Sequence, residues 1–264
     1  MTQRLWLFTA LASSLYCQAA TSSELEVVGT GDGMEVLQAA AVIYAAENPD
    51  KAVIIPPSIG SGGAIVAVGA ERNSLGRIAR PLTEKEKAQG LIDVPIMRIP
   101  SAIYVHRSAG LADLTTEQLV GIYTGAIQNW REVGGRDLRI KLVRREQADS
   151  TLAVLRSTMP GWKDLKFTHR SKLATTTQEA VETVKAVEGA IGFGPYSRTL
   201  EATATVLRIN GKHPLDDDYP SAVVLALLYK QGGLTPEAKA FVQFMRSEKA
   251  RQLMVSQGGV PIGE

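Results

Sequence analysis

Three short segments carry the residues of this 264-residue chain whose types and spacing are best suited to chemistry. They are Gly29-Thr30-Gly31-Asp32-Gly33-Met34, Ile59-Gly60-Ser61-Gly62-Gly63 and Arg144-Arg145-Glu146-Gln147-Ala148-Asp149-Ser150-Thr151. Each stands where a strand-like run feeds a helical pattern. Glycine, serine and threonine let the chain turn tightly there and expose consecutive N–H groups. The first turn of a helix has unpaired N–H donors and a partial positive charge, so such ends bind anions without a full counter-charge. Taken singly, each segment has another reading: Gly62-Gly63 as a packing turn, Arg145 as a surface arginine, Asp149-Ser150-Thr151 as a plain helix cap. Three in one chain, one with two arginines attached, point to an anion.

Other chemistries find little support. His106, His169 and His213 are far apart and lack metal-ligand spacing, so no metal site is expected. There is no Gly-x-Ser-x-Gly elbow and no Gly-x-x-x-x-Gly-Lys-Ser/Thr loop. Ser61 has no evident base nearby in sequence. The expectation is a protein without cofactor and without catalytic residues. Asp216-Asp217-Asp218 lacks the spacing of a calcium loop and reads as a solvated turn.

The elements that must position the three segments follow an alternating pattern. Leu25–Val28 and Ala52–Ile55 read as strands, and helices follow over Met34–Glu47 and from about Ala64. Thr83 and Glu86 form a capping-box start. Strands are expected at Ile99–Val105, Ile140–Val143, Ala190–Phe193 and Ser221–Tyr229, and helices at Thr115–Tyr123, Ser150–Thr158 and Thr177–Glu188. Thr235-Pro236 opens a closing helix that runs on through Met245 and Glu248–Val255. Strand–turn–helix alternation of this kind argues for an α/β fold with a largely parallel sheet.

Composition narrows the class further. A net charge of +2 argues against a nucleic-acid binder. Arg4, the apolar run Leu5–Leu15 and the small residues Ala19 and Ala20 read as a cleaved signal peptide. The run is too short for a spanning helix, which needs about 20 residues. Cys17 is the chain's single cysteine, and the bulky Tyr16 before it argues against lipid attachment. A mature chain without thiols has no disulfides. It is expected outside the cytoplasm, in the periplasm.

At the level of motifs, the chain resembles the periplasmic phosphate-binding proteins of ABC phosphate importers, the PstS-like solute-binding family. Ile59–Gly63 resembles that family's Gly-Ser-rich second loop, and Gly76-Arg77-Ile78-Ala79-Arg80-Pro81-Leu82 matches its Gly-Ala-Ser-Asp-x-Pro-Leu segment in frame. Ile122-Tyr123-Thr124-Gly125-Ala126-Ile127-Gln128-Asn129-Trp130 follows Ile-Phe-x-Gly-x-Ile-x-x-Trp, the most specific likeness. Arg144–Thr151 lines up with Arg-Arg-x-Asp-Gly-Ser-Gly-Thr, and Gly189–Phe193 with Gly-Ala-Ile-Gly-Tyr.

The resemblance implies a two-lobed periplasmic-binding-protein fold, each lobe a mixed sheet flanked by helices, joined by crossing hinge strands. Lobe 1 is expected over 24–102 plus 221–264 and lobe 2 over 103–220, after a signal peptide at 1–20. It implies a monomer that captures inorganic phosphate or a similar oxyanion between the lobes and hands it to an inner-membrane ABC permease. A periplasmic sensor or adhesion-related module with altered anion specificity is the alternative. The implied ligand-binding residues are Gly33, Met34, Ser61, Gly62, Arg145, Asp149, Ser150 and Thr151. Gly33-Met34 stand where the family has Thr-Phe, and Asp149-Ser150 where it has Ser-Gly. Ala79 replaces an aspartate that accepts the proton of phosphate, and Arg80 beside it adds positive charge. Asp149 and Asp32 are the aspartates inside the loops. The expectation is that Asp149 takes over as acceptor, or that phosphate is not selected sharply. Trp130 and Trp162 are expected in the core of lobe 2.

Overall fold

A computed structural model describes residues 23–216 and 218–263. The expected signal peptide, with Arg4, Cys17, Ala19 and Ala20, and the middle residue of the acidic run lie outside the described residues. In chain order the elements are β1 Ser23–Gly29, α1 Met34–Glu47, β2 Lys51–Ile54, α2 Gly60–Gly69, β3 Leu75–Ile78, α3 Glu84–Ala88 and β4 Leu91–Val105. Then come β5 Asp113–Leu114, α4 Thr116–Thr124, β6 Lys141–Arg145, α5 Ser150–Thr158, β7 Ser171–Ala174, α6 Thr177–Ala186 and β8 Ala190–Pro195. The chain closes with α7 Arg198–Thr203, β9 Thr205–Val206, β10 Arg208–Ile209, β11 Ala222–Lys230, α8 Pro236–Met245, α9 Glu248–Ser256 and β12 Val260–Pro261.

Ten strands among the described residues form one mixed sheet in the order β2-β1-β3-β11-β4-β8-β6-β7, with β12 and β9 also on β4. Parallel pairs lie toward both ends, β2/β1/β3 on one side and β7/β6/β8 on the other. The antiparallel middle is built on β4. Nine of its first ten residues pair with β11, Ile96 being skipped, and its last five pair with β8. A register shift opposite Leu225 and Ala226 lets Pro95, which has no N–H, sit inside this long strand. At the junction Ser101 N–H donates to Ser221 O at 2.9 Å, and the two buried serine hydroxyls are 2.8 Å apart.

Each half of the sheet is covered on both faces. On the β1–β3 side, α1, α8 and α9 pack Leu37, Tyr44, Phe241 and Met254 over one face, and α2 packs Ala64 and Val68 over the other. On the β6–β8 side, α4 and α5 bury Leu119, Tyr123 and Leu155 with Trp130 and Trp162, while α6 and α7 bury Ala180, Val184 and Leu200. Both tryptophans are fully buried, as expected. The two-lobed α/β class is thus met.

Several elements differ from their expected bounds, for physical reasons. α2 starts at Gly60, four residues before Ala64, so Ser61 lies inside the first helical turn. Glycine's low helix propensity hides this start in the sequence. The closing helix is two helices. Ser247 Oγ accepts from Ala250 N–H and caps α9 anew after α8 ends at Met245. β3 was not anticipated, because a charged residue sits mid-strand. Arg77 is nonetheless fully buried.

Candidate functional site

The turn Gly29–Gly33 joins β1 to α1. Gly29 must be glycine, because a Cβ there would lie 2.0 Å from Arg77 O on the neighbouring β3. Gly33 closes the turn with φ +70°, where side chains are disfavoured, and precedes α1 without a side-chain cap. Arg77 fixes this turn from beneath. Its Nε donates to Thr30 O at 2.6 Å, its Nη2 to Pro56 O at 2.7 Å, and its Nη1 to Val27 O. One guanidinium thereby ties the end of β1, the first loop and the approach to the second. Burial without a carboxylate partner pushes its pKa down to about 10, which leaves it protonated near neutrality.

From the other half, β6 ends at Arg145, and α5 begins at Ser150 with Asp149 as its cap. Asp149 Oδ1 accepts from Leu152 N–H at 2.9 Å. Its Oδ2 accepts from Arg145 Nε at 3.0 Å and Nη2 at 2.7 Å. Arg145 Nη1 donates to Ala174 O at 3.2 Å. A guanidinium has five N–H bonds. Three are used here, so two remain for another acceptor. Arg145 and Asp149 are each 6% exposed.

The halves meet through hydroxyls. Ser61 Oγ in the first turn of α2 and Ser150 Oγ in the first turn of α5 are 3.1 Å apart, and Ala79 N–H donates to Ser61 Oγ at 3.1 Å. Thr177, the first residue of α6, donates from Oγ1 to Asp32 Oδ1 at 3.0 Å, and Gln178 Nε2 donates to Gly31 O at 3.3 Å. Four helix N-termini (α1, α2, α5 and α6) therefore converge between the halves, where three were anticipated. Thr177 and Thr30 were missed. Thr177's capped position after Thr176 is the signal that could have found it.

Hydrogen bonds pair Ser61 with Ser150 and Arg145 with Asp149, the two pairs being joined where Asp149 precedes Ser150, and Thr151 is buried next in the chain. Gly33 and Met34 stand apart, along an interlobe groove shared with Met97, Ile99, Thr177 and Tyr196. Gly62 is exposed, and a Cβ on it would meet nothing within 4 Å. Two expectations meet unforeseen partners. Asp149, the acceptor in one of the two alternatives, has both oxygens engaged here, as helix cap and as Arg145's partner. Arg80 was expected to add charge to the loops, but it pairs with Glu86 Oε1 at 2.8 Å beside the α3 cap. The buried oxygens of the cluster with no partner are Asp32 Oδ2 and Thr151 Oγ1.

Asp32 is 1% exposed. Burial is the main force raising its pKa, and the Asp149 carboxylate adds to it. The Thr177 hydroxyl, Arg145 and Thr30 oppose the rise, and the outcome is a carboxyl pushed up to about 7. Among the described residues no cluster of histidine, cysteine and carboxylates has a metal-binding arrangement. No helix among them is long and apolar enough to cross a membrane.

A two-lobed α/β sheet with helix N-termini, hydroxyls and a buried guanidinium converging between its halves defines the solute-binding class of fold. A family model described as a PBP superfamily domain matches residues 17–249, and the chain belongs to that superfamily. The chain is 28% identical over 254 residues to the phosphate-binding protein PstS of Bacillus subtilis, covering 91% of this chain and 81% of that one. It also aligns with the Borreliella burgdorferi PstS at 22% identity, covering 74% of this chain and 76% of that one. Among solved structures, a Clostridium perfringens protein assigned as a phosphate ABC transporter substrate-binding protein, with bound phosphate, superposes with TM-score 0.82. Its identity is 26%, and the match covers 91% of this chain and 100% of that one. An ABC-type phosphate transport receptor of Vibrio cholerae shares the fold at TM-score 0.66 and 23% identity, covering 91% of this chain and 100% of that one. The family is one of substrate-binding proteins, not of enzymes.

Proposed function

We propose that the chain is the extracytoplasmic receptor of an ABC importer, and that it holds a tetrahedral oxyanion, inorganic phosphate first, between its lobes. The contact that carries this reading is Ser61 Oγ to Ser150 Oγ, 3.1 Å across the halves and next to Arg145. It brings together the first turns of α2 and α5, whose N–H groups can donate to an anion, and the Asp149 cap beside Ser150 holds a guanidinium with two N–H bonds to spare. Ser61, Ser150, Thr151 and Arg145 donate to the anion, and the Gly33, Met34 and Gly62 amides belong to its outer approach. Residues 24–102 plus 221–264 form one lobe and 103–220 the other. The chain works as a monomer in the periplasm after removal of its first 20 or so residues, which mass spectrometry and light scattering of the secreted protein check. The names of its relatives support phosphate as ligand and an ABC permease as partner.

Calorimetric titration with phosphate, sulfate, arsenate and molybdate tests this reading. Phosphate is expected to saturate a single site. Arg145→Lys, which keeps charge but loses the planar fork, is expected to weaken binding by about tenfold or more. If none of the four anions binds the wild type, the reading is wrong.

A further inference from the structure

Among the described residues, Asp32 carries the one buried carboxylate oxygen without a hydrogen-bond partner, Oδ2. Its other oxygen accepts from Thr177 Oγ1 at 3.0 Å, so the residue is held from the opposite half of the sheet. Asp149, the other buried carboxylate of the cluster, is occupied through both oxygens. Ala79 faces Ser61 with its N–H and offers no acceptor side chain. The groups acting on Asp32 are Thr30 on its own turn, Arg145 at the end of β6, Asp149 at the head of α5 and Thr177 at the head of α6. Asp32 in turn acts on Tyr104 of β4, whose hydroxyl donates to Phe193 O. With Asp32 ionised, Arg145 and the two carboxylates sum to one net negative charge before any anion arrives. A second anion is admitted there only if a proton lies between it and the carboxylate.

We propose that Asp32 determines which oxyanions bind, by sharing one proton with the ligand through Oδ2. Ionised, it accepts a hydrogen bond from the P–O–H of monohydrogen phosphate. Neutral, it donates its own proton to an oxyanion that has none, such as sulfate. This rests on the oxyanion-receptor reading. Because burial and Asp149 place the carboxyl near 7, both forms are populated around neutrality. The proton balance differs between the two ligands. Above neutrality, ionised Asp32 and monohydrogen phosphate already hold the one proton needed, and none is exchanged with solvent. Sulfate and ionised Asp32 hold none, so binding sulfate must take up one proton.

The test is calorimetry of the full mature chain in two buffers of different ionisation enthalpy, which counts protons exchanged per anion. At about pH 8 the expected uptake is roughly one proton per sulfate and none per phosphate, and sulfate affinity falls about tenfold per pH unit above about 7. Asp32→Asn does not titrate, so it is expected to remove that slope and to narrow the phosphate-over-sulfate preference at about pH 8 by about tenfold or more. If Asp32→Asn does not fold, the wild-type proton count decides alone. Sulfate binding without proton uptake at about pH 8, an unchanged slope in Asp32→Asn, or no sulfate binding at about pH 5.5 would each overturn the assignment. In those cases phosphate binding by the wild type leaves the receptor reading standing. A wild type that binds none of phosphate, sulfate, arsenate and molybdate removes both.

Discussion

Arg77 and Asp32 are the two residues whose burial most departs from their chemistry, and each has a measurable consequence. Arg77 satisfies three carbonyls with one guanidinium. Arg77→Met is expected to leave those oxygens without their donors and to cost about 3 kcal/mol or more, read by urea unfolding. Asp32 has a native pKa raised from the ordinary 3.8 to about 7. Between those values the folded chain keeps a proton that the unfolded chain gives up, so stability of the anion-free protein falls as pH rises through that window. The expected observation is a Tm that declines from acid toward neutrality in the wild type and declines less in Asp32→Asn. A Tm profile identical in both proteins contradicts the buried, protonated state. The sequence exposed both aspartates of the loops but could not rank them. The ranking depends on Asp149 reaching back four residues to Arg145 while capping α5, and on Thr177 arriving from 145 positions away. Arg77 left no sequence signal, since a cation in a four-residue strand breaks the apolar pattern that marks burial.

Elements with side-chain caps were the most legible. Thr83 with Glu86 and Thr115 with Gln118 form capping boxes in the structure, and Pro236 sits in the first turn of α8 after its Thr235 cap. The helix starts that escaped are those whose signals are ambiguous in one dimension. α2 begins on glycines, and α9 begins at a serine inside an apparently continuous amphipathic run. Strands of two residues, such as β5, β9, β10 and β12, owe their existence to partners far along the chain and have no period of their own. At this scale Asp149→Ala is the sharpest probe. It removes the α5 cap and strands a buried arginine, and the expected loss is about 3–5 kcal/mol in denaturant unfolding. Ser247→Ala, which removes only the α9 cap, is expected to cost about 1 kcal/mol by the same measurement.

At the scale of the whole molecule, the lobes are bound both along the sheet and across the site. β4 runs unbroken through both halves, and Ser61–Ser150, Asp32–Thr177 and Gln178–Gly31 cross between them. The proposed oxyanion would add to those crossings, so small-angle scattering is expected to show a smaller radius of gyration with saturating phosphate than after exhaustive dialysis. The place of β11 in the sheet has a further effect, on biosynthesis. This strand, made of residues 222–230, fills the gap between β3 and β4. Until the ribosome has delivered it, the half carrying Asp32 and Ser61 has two bare sheet margins open to any other extended peptide. A nascent chain is therefore vulnerable for most of its length, and a stop codon just before Ala222 should yield aggregates where the full chain yields a clear solution.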